Sequence, residues 1–366
     1  MIKKILIILV GGIVVACNGG GGSSSSSSPV PTPTPTTTIS PNSVDPYPYP
    51  TPLTTYPPMP DGFADAVPTF VTGSQSAHYG LQIAYGHNSN PQAPNLVAYI
   101  NQYVAGKGTY ICSATPVATD GNGGTWLVGA AHCYLSAKTN EAYVSANDIL
   151  SMTNLSVFKG VYGQTKKASS VQVFVPKNYC QGATFSGLGE CPNFGSYGGG
   201  EGNDIALVHI NSKFNDDQDY PRLALESEYP PAYAMAPVLS LGFGLTNSGG
   251  MGNMFYVVNY FYQQSDTTGY HYLLNSYFNP YEGYSELICG GDSGGGDLYW
   301  NGSQWLLLSE HTYGPSDSCG NFYHYLPNGA TNVSVYYSWL TNIINSGSSG
   351  ATVYCNSESA NCVTNG

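Results

Sequence analysis

"LICGGDSGGGDLYW", residues 287–300, sets five glycines around the single serine Ser293, between apolar runs. Three readings compete for it. The plain one is a Gly-rich turn. A phosphate cradle requires a Lys-Ser/Thr pair behind the glycines, and none follows. The third is a socket for a nucleophile. Glycine lacks a Cβ, so Gly291 can turn its N–H toward the same point as the N–H of Ser293. Two such donors beside a hydroxyl form a seat for a developing oxyanion. On that reading Gly294–Gly296 leave room for a substrate backbone. The stretch alone does not separate turn from socket, and two other stretches bear on it.

Amide hydrolysis needs a hydroxyl activated by a base, a carboxylate to orient that base, and donors for the oxyanion. In "TWLVGAAHCY" (125–134) an apolar run leads to His132 and Cys133. In "EGNDIALVHI" (201–210) Asp204 opens an apolar run. A histidine beside such a run is often structural, and an acid at a strand start is often solvated. Taken with Ser293, the two residues supply the base and the acid that holds its reactive tautomer. Asp292 is a second acid, suited to pairing with a cation that keeps the serine loop in shape.

The chain has 366 residues, enough for one large domain or two small ones, with a net charge of −12 and a single arginine, Arg222. That lacks the basic footprint of nucleic-acid binding, so this class is excluded. From about Val97 short runs recur: "LVAYI", "GTYICSATPVA", "TWLVGAA", "LSVFKGVYG", "SVQVFVP", "DIALVHI", "PVLSLGFG", "MFYVVNYF" and "QWLLLSE". Each is bounded by Gly, Asn, Pro or Asp, the pattern of an all-β sandwich or barrel. In "TNVSVYYSWLTNIINS", apolar Val333, Tyr336, Tyr337, Leu340, Ile343 and Ile344 fall on one helical face. No solenoid-type repeat is present.

The N-terminus reads as a targeting segment. "MIKK" is basic, and "ILIILVGGIVVA" is apolar but short for a membrane span. Ending in "VVAC", it resembles a bacterial lipoprotein signal, with signal peptide 1–16 and lipidation at Cys17. Residues 17–75, rich in Gly, Ser, Thr and Pro, form a tether. The folded domain is expected over 76–345, and residues 346–366 as a tail. With Cys17 set aside, eight cysteines remain, and eight allow 105 pairings. Sequential pairing is simplest: Cys112–Cys133, Cys180–Cys191, Cys289–Cys319 and Cys355–Cys362. No C-x-x-C pair occurs, so zinc is not expected. Disulfides and a signal together imply an extracytoplasmic site in a bacterial cell envelope.

"LVGAAHC", "NDIALVHI" and "CGGDSGGG" resemble the histidine, aspartate and serine motifs of the chymotrypsin/trypsin-like serine protease family, in the family's order. "TNVSVYYSWL" resembles the start of its C-terminal helix, and "LGFGLT" the strand that opens its second barrel. The resemblance spans roughly 80–345. It implies two six-stranded antiparallel β-barrels with the site between them. It implies a triad of Ser293, His132 and Asp204, an oxyanion hole from Gly291 and Ser293, and disulfides Cys112–Cys133 and Cys289–Cys319. It places Leu287 at the base of a specificity pocket and Ser309 and His311 in its wall, with His311 able to favour an acidic side chain. No Ile-Val-Gly-Gly start precedes "LVAYI", so the family's N-terminal amine lacks an obvious source. Arg222 is the expected partner of Asp292, with an N-terminus cut near 75–97 as competitor. The implied protein is a monomeric peptidase acting on proteins or peptides without a cofactor, held at a membrane by its lipid. The alternative is a non-catalytic binding module on the same fold, since Tyr/Asn/Ser/Gly-rich loops make good contact surfaces.

Overall fold

A computed structural model describes residues 57–60, 63, 95–104, 108–134, 154–159, 166–167, 171–176, 204–214, 220–231, 236–246, 251–262, 271–275, 278–279, 284–285, 288–313, 327–346 and 351–355. The signal, Cys17, most of the tether, Glu286, Leu287, Cys180, Cys191, Cys319 and Cys362 lie outside them.

The runs that read as strands are strands. The first half carries β1 (Ala98–Val104), β2 (Gly108–Thr119), β3 (Thr125–Gly129), β4 (Asn154–Lys159), β5 (Lys166–Lys167), β6 (Val171–Pro176) and β7 (Ala206–Ile210). The second half carries β8 (Arg222–Leu223), β9 (Ala236–Gly242), β10 (Phe255–Tyr262), β11 (His271–Asn275), β12 (Phe278–Asn279), β13 (Tyr284–Ser285), β14 (Gly296–Trp300), β15 (Trp305–Tyr313) and β16 (Pro327–Asn332). Helix α1 (Tyr337–Ser346) and strand β17 (Ala351–Cys355) follow.

In the second half β14 pairs with both β9 and β15, so β9, β10, β11, β16, β15 and β14 close a ring, and β8 lies outside it, parallel to β15. This is the six-stranded antiparallel barrel the resemblance implies. Closure leaves no unpaired edge within the ring. The first half runs β17-β6-β7-β3-β2-β1-β4-β5, a row of eight antiparallel strands. The expected six form its middle, with β5 added at one edge and β17 at the other. The segment expected as a tail thus contributes a strand: Ala351–Cys355 pairs with Pro176–Gln172 of β6.

One apolar core joins the halves. Val128, Phe174, Ile205 and Leu207 from the first share a buried cluster with Leu239, Leu241, Leu298 and Leu307 from the second. Val333, Tyr336, Leu340 and Ile343 join it, as their helical spacing predicts. A 3-10 turn, Val333–Tyr336, leads into α1, and the Asn332 side chain caps it by accepting from Ser334 N–H. Met59 and Phe63, placed by sequence in the tether, belong to the same core. The Phe63 ring meets Tyr256 and Trp305 edge-on, with centroids 5.3 and 5.5 Å away. The folded body therefore includes residues ahead of position 76. Sequence hides this because two apolar residues among prolines show no period. Replacing Phe63 by Ala should cost about 3–5 kcal/mol, the usual loss for an emptied aromatic site. Urea denaturation of the two proteins measures it.

Candidate active site

The site lies where the two halves meet and is built from three short segments. After β3 the chain enters a 3-10 turn, Ala131–Cys133, that buries His132. A disulfide joins Cys133 to Cys112 on β2 and fastens this turn to the neighbouring strand. Asp204 is buried at the entry to β7. One of its oxygens accepts from the His132 backbone N–H at 2.9 Å, and the other lies 2.9 Å from His132 Nδ1. A carboxylate oxygen accepts, so Nδ1 carries a proton and donates it to Asp204. Two bonds from one residue fix the ring in both position and tautomer.

Cys133 Sγ lies 3.8 Å from His132 Nε2 and 3.6 Å from the Ser293 carbonyl oxygen. The Nε2 side of the ring and the serine loop thus meet at this sulfur. Among the described residues no hydrogen bond joins Ser293 Oγ to His132 Nε2; such bonds often close only when substrate binds. Cys112, His132 and Cys133 sit at metal-ligand spacing. The two sulfurs are spent in the disulfide, so no thiolate is offered to a metal.

The serine loop is tied down on every side. Ser113, the residue after Cys112, donates its N–H to the Ser293 carbonyl at 2.8 Å and its hydroxyl to the Gly291 carbonyl at 3.1 Å. The N–H of Phe243 donates to that same hydroxyl at 3.0 Å. Gly291 has φ +100°, a left-handed conformation that only glycine adopts without strain. With its carbonyl taken by Ser113, neither its N–H nor that of Ser293 donates to any described residue.

Asp292 is fully buried. Its two oxygens accept from Gly244 N–H and Cys289 N–H, each at 2.8 Å. Burial raises its carboxyl to about 6, against the pull of those N–H groups and of His311. The carboxyl occupies the space a side chain at Gly244 would need: a Cβ there would stand 2.7 Å from Asp292 Cγ. This is why glycines stand at and just beyond the end of β9. Cys289 is disulfide-bonded.

Several expectations need correction. Arg222 does not reach Asp292. Its guanidinium makes a two-point pair with Glu228, one arm at 3.0 Å, in the 3-10 turn Glu226–Glu228. Gly294 to Gly296 do not clear space for substrate. Cβ atoms there would strike the Ser113 carbonyl, the Leu241 carbonyl and Thr115 Oγ1, so these glycines let the protein's own strands close up. Ser309 and His311 are buried within β15, and both side chains bond to Asp297 of β14, Ser309 Oγ at 2.9 Å and His311 Nε2 at 2.8 Å. His311 Nδ1 lies 3.2 Å from the Asp292 carbonyl. Both ring nitrogens are engaged, and neither is offered to an acidic substrate side chain.

The opposite face of β15 carries Glu310 and Thr312, which the sequence reading passed over. Glu310 is buried, and its carboxyl is pushed well above the carboxylate range by burial and by the nearby charge of Asp204. Thr331 donates to the Asp204 carbonyl at 3.0 Å, Thr312 and Thr331 hydroxyls lie 2.6 Å apart, and Thr312 Oγ1 lies 3.3 Å from Glu310 Oε1. Each hydroxyl has one proton. Thr331 spends its own on Asp204, and Thr312 donates to Glu310 Oε1. A buried acid inside an apolar strand, as in "LLLSEH" or "GGGDLYW", was the available signal. Gly291→Ala should strain the loop by about 1–3 kcal/mol, since its φ suits no side chain. Its Cβ would also stand 2.9 Å from Gly244 Cα. A lowered Tm together with lost reactivity at Ser293 checks this.

Comparison with known proteins adds the following. A family model described as Trypsin matches residues 88–340. No curated protein matches significantly. A solved structure described as HL collagenase is similar over 73% of this chain and 99% of its own, at 17% identity and a TM-score of 0.47.

Proposed function

The chain belongs to the trypsin family, and on that premise we propose that it is a serine endopeptidase with Ser293 as nucleophile, His132 as base and Asp204 as orienting acid. The observation that carries this reading is the double engagement of Asp204 by His132, at 2.9 Å through both the backbone and the ring. It sets the Nε2 edge of the ring toward Cys133 Sγ, which the Ser293 carbonyl also meets.

The steps follow from these positions. Ser293 Oγ attacks a peptide carbonyl while its proton passes to His132 Nε2. Asp204 stabilises the imidazolium that forms. The carbonyl oxygen, now negative, is received by the N–H groups of Gly291 and Ser293. Expulsion of the amine, protonated by His132, leaves an acyl-enzyme. Water activated by the same nitrogen then releases the acid and restores Ser293.

We further propose that the mature chain begins at Cys17, carries lipid there, and works outside the cytoplasm at the bacterial cell envelope. The basic start and "VVAC" support this. So does the Cys112–Cys133 disulfide, a bond that persists in oxidising compartments. More than one acyl chain makes such anchoring stable.

A fluorophosphonate probe should label the full chain and leave Ser293→Ala untouched. Asp204→Asn should slow labelling and turnover by about 10⁴-fold, because it favours the wrong tautomer. A wild-type protein that folds but resists the probe would instead favour the non-catalytic binding module. Cys17→Ser should move the protein from the membrane fraction to the soluble one and abolish incorporation of labelled fatty acid.

A further inference from the structure

We propose that His311 is a positioning residue, a buried cation that stands between Asp297 and Asp292 and holds the Ser293 loop in its working shape. This rests on the peptidase reading of Ser293 and names the group that organises that site.

Geometry alone assigns the charge. His311 Nε2 faces Asp297 Oδ1 at 2.8 Å, and Nδ1 faces the Asp292 carbonyl oxygen at 3.2 Å. Both partners are acceptors, and only the imidazolium donates from both nitrogens. Both oxygens of Asp297 are already met by hydroxyl donors. Asn259 donates to Ser240 Oγ at 2.8 Å, which turns the Ser240 proton onto Asp297 Oδ1 at 2.6 Å, while Ser309 donates to Oδ2 at 2.9 Å. The main chain of His311 completes the hold. Gly294 N–H donates to its carbonyl and its own N–H donates to the Gly295 carbonyl, each at 2.8 Å. One residue therefore grips the loop at Asp292, Gly294 and Gly295, on both sides of the serine.

Every group that faces the ring agrees. From β14 comes Asp297 and from the serine loop Asp292, both buried acids. Across the ladder β9 and β10 contribute the neutral Ser240 and Asn259, and β15 itself contributes Ser309. Glu310 is turned to the other face. Burial works against the charge on His311, but Asp297 and then Asp292 overcome it and raise the imidazole above its ordinary range. The sign follows. The stability this cation contributes is complete below the unfolded histidine value. It is lost as pH rises through the higher folded value. Arg222 is engaged with Glu228, and among the described residues the cation beside Asp292 is His311.

Two measurements on the full chain test this. Spectra of ¹⁵N-histidine-labelled Ser293→Ala should show His311 with both nitrogens protonated at neutral pH and beyond the usual histidine range. Loss of the signal in His311→Gln assigns it. A neutral His311 ring at pH 7 overturns the proposal. Fluorophosphonate labelling rates should fall on the alkaline side in wild type. They should be reduced at least tenfold in His311→Gln with that fall gone. In Asp297→Asn the fall should shift to lower pH, a change that lost packing would not produce and that decides the matter if His311→Gln does not fold. Wild-type rate and wild-type pH profile in His311→Gln would refute the idea. An imidazolium in a protein that never labels counts against the peptidase reading, leaving the charge on His311 in place.

Discussion

A buried carboxylate survives only where its oxygens are met, because an ion taken from water and left unpaired is far too costly. This structure brings Asp204, Asp292, Asp297 and Glu310 into one buried region, in a chain with only 10 lysines and arginines. Each acid is answered differently. Asp204 takes both donors of His132, Asp292 takes two main-chain N–H groups, and Asp297 takes two hydroxyls and an imidazole. Glu310 takes a hydroxyl from Thr312, while burial and the nearby Asp204 push its carboxyl well above the carboxylate range. The geometry of the candidate site is what remains once these four demands are met.

Strand β15 connects the demands. Alternation along it sends Ser309 and His311 toward Asp297, and Glu310 and Thr312 toward Thr331 and Asp204. One strand therefore braces the serine loop with one face and Asp204 with the other. The first half of the fold answers through Ser113, whose backbone and hydroxyl hold the Ser293 and Gly291 carbonyls. Because Ser113 follows Cys112, and Cys112 is bonded to Cys133 beside His132, a single stretch of β2 ties the His132 turn and the Ser293 loop to one another. A shift of one residue in β2 would send Ser113 to the opposite face.

What could be read from sequence follows from what leaves a periodic or local trace. Strands β2, β3, β7, β9 and β10 alternate or run apolar, and α1 shows its helical spacing, so they were legible. Strand β16, "PNGATN", has no apolar alternation; its place comes from ladders to β11 and β15 on either side. The short β8 and β5 carry two residues each, too few for any period. The residues near Ser293, His132 and Asp204 were found because they sit in contiguous motifs. Roles set by distant partners were not. Arg222 was chosen as the one arginine, yet Glu228, six residues away, satisfies it. His311 was read from its place beside a substrate pocket, while its meaning depends on Asp297 across the β14–β15 ladder.

The two histidines show how one residue type is given opposite work by what faces its second nitrogen. At His132 a carboxylate meets Nδ1, and the other edge of the ring looks to the Cys133 sulfur and the serine loop. A lone pair there is what proton transfer from a hydroxyl requires. At His311 a carboxylate meets Nε2, and the opposite nitrogen meets a backbone carbonyl, which demands a second proton. The first ring is thereby fitted to exchange a proton and the second to retain one. Exchanging the environments would leave a charged base unable to accept a proton and a loop braced by a neutral ring. The carbonyl of Asp292 makes the difference at His311, and that carbonyl belongs to the residue before Ser293. The loop that carries the serine thus fixes the protonation of the residue that holds it.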